Sequence, residues 1–323
     1  MKNLLFIGPK FYNYHEVIKK GFEDAGYIVD YFNDRPDDKF FTKAFIRINK
    51  KLLKNKIYKY FNLIKEKASV KNYDVIFVLY GQSFSNSMML ELKKISPNSR
   101  FVFYMYDPIS SMPDRAEFSQ IFDDCYSFDS EDCKKYSNFK FVPLFFSFDN
   151  YPIEKIIYDA SAILTIMPGK YEKMVSMIKE LEHNNYTFFK IFYLQSKLIW
   201  LYYKLTKKEF KESTISEFTY KRLSQEKVKQ YMSQSKFILD CPKEGQTGLT
   251  IRTFEALAAN KKLITTNKHV VEYDFYRPEN IYVYNGKFDF NNVFFKSEYV
   301  PISDEIKANY TINSWVKKVL KNV

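Results

Sequence analysis

Residues 246–266 read QTGLTIRTFEALAANKKLITT, and their interpretation decides the architecture of the chain. Thr247 and Gly248 make a tight turn, a helix starts near Leu249 or Thr250, and Asn260 stands where a helix end favours the left-handed conformation. The apolar runs on either side, Lys236 to Cys241 and Leu263 to Thr266, are short enough to be buried parallel strands with this helix as their crossover. That connection turns the helix N-terminus toward the carboxyl edge of the sheet. Its N–H groups and positive dipole end favour an anion there, Gly248 lets the anion approach the backbone, and Arg252 in the first turn offers a forked counter-charge. Glu255 follows one turn later. Taken alone, the segment also reads as an ordinary amphipathic helix, with Phe254, Leu257 and Ala258 inward and Arg252 and Glu255 in solvent.

Outward from this segment, strands and helices alternate along the chain. Lys2 to Ile7 is a strand, Gly8-Pro9-Lys10 a turn, His15 to Ala25 a helix ending at Gly26, and Tyr27 to Tyr31 a second strand. This opening is Rossmann-like, but its loop has one glycine where a dinucleotide fingerprint needs three, which argues against NAD or FAD. Asp74 to Leu79 is a third strand, leaving Gly81 and Gln82 at its end, and Ser85 to Ile95 is a helix. Arg100 to Tyr106 is a fourth strand running into Asp107-Pro108, where the proline holds Asp107 extended at the ligand-facing edge of the sheet. His15 lies near the same edge, with a surface or capping role competing with a catalytic one. The adjacent acids Asp123 and Asp124 read as a solvated helix end in preference to a metal-binding pair. Pro143 to Pro152 is the crossing to a second series: Ser161 to Met167 as strand, a turn through Gly169 and Lys170, and Tyr171 to Glu182 as helix. Lys170 is there a candidate phosphate contact or an exposed helix-start lysine. Phe188 to Lys211 reads as a strand and helix with an exposed basic side, Ser224 caps a helix to Met232, Ile281 to Tyr284 is a last strand, and Ser303 to Val323 is helical in pattern.

The glycine-containing turn followed by RTFEALAANKKLITT resembles the donor-binding segment of GT-B glycosyltransferases, particularly bacterial lipopolysaccharide and capsule enzymes. The aromatic strand ending at Asp107 and the stretch IFDDCYSFDSEDCKKYSNFKFVPLFF, residues 121–146, resemble the same family. The resemblance implies an α/β fold of two Rossmann-like domains facing a central cleft, residues 1–150 on the acceptor side and 151–305 on the donor side. Residues 306–323 would form a C-terminal helix returning to the first domain. It implies that Glu255 bonds the ribose of a nucleotide sugar, UDP-linked by preference, and that Thr247, Gly248, Leu249, Thr250 and Arg252 hold its diphosphate with Gly169 and Lys170 nearby. Gly81 and Gln82 fall on the acceptor side, and Asp107, or His15, is the candidate base. No metal or other cofactor is implied. Many retaining members carry two glutamates eight positions apart, whereas here Thr247 stands eight before Glu255, and Glu244 is too far upstream to take that role. Retention or inversion of the anomeric centre therefore stays open.

Composition bounds the rest. At 323 residues, 46% hydrophobic and 27% charged, the chain is long enough for two globular domains. The net charge of +12 admits a nucleic-acid or anionic-membrane partner, or lysine-rich codon usage. Nucleic acid is disfavoured, because the basic residues are spread along the chain and no helix-turn-helix, RRM or zinc module is visible. Lys39 to Lys67 is different: a helical stripe of Phe41, Phe45, Ile48, Leu52, Ile57, Phe61 and Ile64 set among lysines fits an anionic membrane surface, or a helix packed on the sheet with its basic face solvated. Ile191 to Leu205 is interrupted by Lys197 and Lys204 and is not a span, and MKNLLFIGPKF has too short an apolar core for a signal peptide. The three cysteines lack metal-site spacing and read as thiols in a reducing compartment. The resemblance, taken with these bounds, implies sugar transfer to a bacterial surface glycan, on a glycan or lipid-linked acceptor, by a cytoplasmic enzyme peripheral at the inner face of the membrane. A non-catalytic nucleotide-sugar-binding or scaffold subunit is the alternative.

Overall fold

Strands that are apolar along their whole length need helices on both faces of their sheet, and the chain provides this arrangement twice. The computed structural model describes residues 1–11, 13–148 and 150–323, with the backbone alone at 40, 43, 44, 47 and 48. It divides into two units, Met1–Ser147 with Tyr310–Val323, and Phe148–Asn309. Asp149, in the expected crossing, lies outside the described residues.

In the first unit the strands are β1 (Lys2–Gly8), β2 (Tyr27–Asn33), β3 (Val75–Leu79), β4 (Arg100–Met105), β5 (Asp124–Ser127) and β6 (Phe139–Phe141). Its helices are α1 (Tyr14–Asp24), α2 (Phe40–Asn49), α3 (Lys54–Val70), α4 (Asn86–Ile95), α5 (Asp114–Phe118) and α6 (Ser130–Lys135). All strands pair in parallel in the order β2-β1-β3-β4-β5-β6. Alternate residues feed two cores: Leu5, Ile7, Ile76, Val78, Phe101 and Phe103 face one side, and Leu4, Phe6, Val75, Phe77, Val102 and Tyr104 face the other.

The second unit has β7 (Tyr158–Thr165), β8 (Phe188–Tyr193), β9 (Phe218–Thr219), β10 (Ser235–Asp240), β11 (Lys262–Thr265) and β12 (Ile281–Val283). Around them lie α7 (Tyr171–His183), α8 (Lys197–Thr206), α9 (Gln225–Ser233), α10 (Ile251–Ala258), α11 (Val293–Lys296) and α12 (Asp304–Ala308). The order β12-β11-β10-β7-β8-β9, again all parallel, is that of a doubly wound Rossmann sheet. The chain then returns: Phe146 bridges Thr311, and α13 (Ile312–Val319) packs in the first unit, its Trp315 ring against Phe22, Phe77, Tyr104 and Phe145.

Three sequence expectations are revised. The helical pattern of 39–67 breaks at Asn49, whose backbone is extended (φ −157°) and whose side chain accepts from Lys51 N–H, so α2 and α3 are separate. Ile57, Phe61 and Ile64 join the core while Phe41, Phe45 and Leu52 are exposed; the Ile48 side chain lies outside the described residues. Asp124 is no solvated helix end: it opens β5, is buried, and pairs with Arg100 (2.6 Å) and Lys140 (3.1 Å), while Asp123 accepts from Phe101 N–H. The helical pattern of 303–323 is interrupted at Asn309–Thr311, where the chain passes from one unit to the other.

Candidate functional site

Sheets of this kind place ligands beyond the carboxyl ends of the strands where the winding direction reverses. In the second unit that point lies between β7 and β10. The paired register of the two strands runs as far as Ser161↔Ile238, short of Ile163. Arg252 occupies the opening, with Nη2 donating to Ile163 O (3.2 Å) and Nη1 to Glu255 Oε2 (2.7 Å). Glu255 is only 1% exposed, so both side chains turn into the unit, Arg252 from the first turn of α10 and Glu255 from the second, and neither is the solvated residue of an ordinary amphipathic helix. Burial, then the Glu255 charge, pushes the nearby Tyr151 phenol well above its ordinary value.

The turn before α10 is held from below. Asn267 Nδ2 donates to the carbonyls of Thr247 (3.0 Å) and Gly248 (3.3 Å), Gln246 Nε2 donates to Gly248 O (2.7 Å), and Gly245 takes the left-handed conformation (φ 74°). Thr250 is the N-cap, but its hydroxyl donates to Asp240 Oδ2 (2.9 Å) instead of capping the helix, and Leu249 is buried. The opening amides of an eight-residue helix thus begin beside a loop whose carbonyls are already engaged. At the other end the sequence expectation holds. Asn260 is left-handed (φ 53°), and the bonds Lys261 N–H to Ala256 O and Asn260 N–H to Leu257 O form a Schellman closure.

Asp240, not anticipated from the sequence, is a buried carboxylic acid at the end of β10. Burial raises its pKa, and the positive charge of Lys170, the Thr250 hydroxyl and Arg252 oppose the rise. Lys170 therefore acts on this strand end. Gly169, left-handed at φ 82°, donates its N–H to Glu209 Oε1 (2.9 Å), and Glu172 N–H donates to Glu209 Oε2 (3.3 Å). The start of α7 is thus met by a carboxylate of the protein itself, while the Glu244 carboxylate comes within 3.7 Å of where a Cβ on Gly169 would lie.

In the first unit the winding reverses between β1 and β3. After β3, Tyr80 (φ 67°) and Gly81 (φ 59°) are both left-handed. Gln82 N–H donates to Asp34 Oδ2 (3.1 Å), Ser83 Oγ bonds Asp34 O, and buried Arg115 donates to Gly81 O (2.8 Å). Asp34 is completely buried, 3.4 Å from Arg35 Nε, and burial raises its carboxyl to about 6 despite that arginine. Tyr106 packs against Tyr80 (4.9 Å), and burial, then Asp107 and Asp34, raises its phenol. Asp107 follows β4, which ends one residue earlier than expected, and is half-buried. His15 is neither a cap nor a surface group: Asn13 is the N-cap position of α1, and His15 is 4% exposed, with its ring 5.3 Å from Tyr31 and Nε2 3.2 Å from Glu16. Asp34 and Arg35 were missed in the sequence because nothing local marks them beyond their place just after a strand. Among the described residues, no group of three or more His, Cys, Asp or Glu side chains is arranged to hold a metal ion.

Two six-stranded parallel sheets, each flanked by helices, with the last helix returning to the first, define the GT-B fold. No protein-family model matches the sequence, and comparison with curated proteins finds no match. Among solved structures, Anabaena HepE in complex with UDP-glucose is similar over 99% of both chains, at TM-score 0.62 and 9% identity. The lipopolysaccharide outer core galactosyltransferase WaaB in its apo form is similar over 99% of both chains, at 0.57 and 12%. The UDP-GlcNAc 2-epimerase of Methanocaldococcus jannaschii is similar over 100% of both, at 0.50 and 11%. At these identities the likeness is one of fold.

Proposed function

We propose that the protein is a glycosyltransferase that moves a sugar from a nucleotide sugar, UDP-linked, to a bacterial surface glycan of the lipopolysaccharide or capsule type. The observation that supports this reading best is the start of α10 at the reversal point of the second sheet, with its preceding loop pinned by Asn267 and with Glu255 oriented by Arg252 in its first turn. Amides at such a helix start suit a diphosphate, and a fixed carboxylate suits the paired hydroxyls of a ribose. The complex of HepE with UDP-glucose, on the same fold, agrees with a UDP-sugar donor.

In this reading the second unit takes the donor and the first the acceptor. The bond between the anomeric carbon and the diphosphate oxygen breaks, the helix start receives the developing negative charge without a resident metal, and an acceptor oxygen bonds to the anomeric carbon. If the reaction inverts, the acceptor proton passes to a carboxylate of the first unit. Asp107 is the stronger candidate, since it stands half-buried just after β4 while the His15 ring lies against Tyr31. The protein works at the inner face of the cytoplasmic membrane, through the exposed Phe41, Phe45 and Leu52 among the lysines of α2 and the turn after it.

Calorimetry with UDP-, GDP-, dTDP- and CMP-sugars tests the donor half. One nucleotide class should bind, and Glu255→Gln should weaken it by roughly ten- to a hundredfold, the worth of one charge-assisted hydrogen bond. If no nucleotide sugar binds, the reading fails. An epimerase of this fold would instead rearrange the sugar with no acceptor present, which product analysis by NMR separates from transfer.

A further inference from the structure

The excursion between β8 and β9 carries a helix whose chemistry does not match its position. α8 reads KLIWLYYKLT, apolar almost all round, a pattern that belongs to a helix enclosed on every side. Yet none of its residues is buried. Ser196 caps it through Ile199 N–H (3.3 Å), and one face is anchored: Ile199, Trp200 and Tyr203 pack against the core of the second unit, and Trp200 Nε1 donates to Ser213 Oγ (3.1 Å). The opposite face presents Leu198 (70% exposed), Leu201 (45%), Tyr202 (57%) and Leu205 (74%) to solvent. Their spacing of three, four and seven residues makes one continuous stripe.

Charge identifies what covers it. Lys197, Lys208 and Lys211 are exposed around the stripe and Lys207 is half-exposed. Of the two nearby acids, Glu209 is turned inward onto the start of α7, which leaves Glu212 as the exposed one. Ten residues are too few to span a bilayer, and among the described residues no helix is long and apolar enough to cross one. A short helix with an apolar stripe, an indole beneath it and a lysine border fits the plane of a membrane interface, with the lysine stems extending to headgroup phosphates. We propose that α8 is an interfacial helix of the second unit that docks on an anionic lipid surface, separate from the α2 region of the first unit and independent of the sugar-transfer reading.

The chain contains two tryptophans. Trp315 is buried in the first unit, so Trp200 alone is placed to report contact with lipid, and α2 and α3 contain no tryptophan. The test uses the full chain with vesicles of phosphatidylcholine and phosphatidylglycerol carrying brominated acyl chains. The brominated lipid should quench the tryptophan emission, Trp200→Phe should abolish that quenching, and phosphatidylcholine alone should bind roughly tenfold or more weakly. Leu198→Gln, Leu201→Gln and Leu205→Gln together should lower the anionic-vesicle partition at least tenfold while leaving nucleotide-sugar calorimetry unchanged; these side chains are exposed, so folding does not depend on them. Vesicle binding that the three leucine substitutions leave unchanged would place the lipid contact elsewhere and overturn the proposal. So would self-association in sedimentation that the three substitutions remove, because the stripe would then be covered by a second copy.

Discussion

Asp34 sets a pH dependence that one carboxyl group can be made to reveal. Burial raises it to about 6, with Arg35 and the Gln82 amide opposing and Asp38 reinforcing the rise. A raised acid binds its proton more tightly in the folded state, so its stabilising contribution is complete below about pH 4 and is lost as pH climbs through about 6, some 3 kcal/mol in all. Carbon-13 titration should find the Asp34 carboxyl half-ionised near pH 6, and Asp34→Asn should remove this component from the stability profile between pH 4 and 6. A carboxyl titrating near 4 would contradict the buried placement. Residues whose roles are local were legible in the sequence: Asn260 as a helix closure, and the helix start near Thr250. Residues whose roles come from distant neighbours were not. Asp34 meets Gln82 across 48 positions and Glu209 meets Gly169 across 40, and no spacing rule reaches that far.

At the scale of elements, one close approach is written into a single glycine. A Cβ on Gly21 of α1 would lie 2.8 Å from Ile312 Cγ1 and 3.1 Å from Val316 Cγ2 of α13, so the two helices touch where a side chain would otherwise stand. Gly21→Val should therefore destabilise the protein by about 1–3 kcal/mol through overpacking, and adding Ile312→Ala should recover part of the loss. Thermal melts of the two single variants and the double form the test; additive losses would mean that the contact is absent. The strand-helix alternation was readable from apolar periodicity because parallel strands buried on both faces leave a strong signal. Breaks inside helical patterns were not. Asn49 and Asn309–Thr311 interrupt runs whose periodicity continues, and the cause is a side-chain cap in one case and a change of unit in the other. The acids 123 and 124 misled for a related reason: a strand that begins on a buried ion pair looks, in one dimension, like a polar loop.

The molecule as a whole is two units of unequal chain topology, one continuous and one assembled from both ends of the sequence. Ending the chain after Asn309 would remove Trp315 from beneath Phe22, Phe77, Tyr104 and Phe145, a loss on the scale of the 3–5 kcal/mol typical of deleting a buried tryptophan side chain alone. Hydrogen exchange should then show fast amides throughout β1, β3 and β4 while β7, β10 and β11 keep their protection; equal loss in both units would mean that they fold as one. The same discontinuity governs the order of events during synthesis. Domains usually fold in the order they are made, at about 5–20 residues per second. Here the first unit waits for α13 while all of Phe148–Asn309 is translated, an interval on the order of ten seconds at that rate. The unit made first is completed last, and its aromatic face is exposed to chaperones and to other nascent chains for as long as its partner takes to be built.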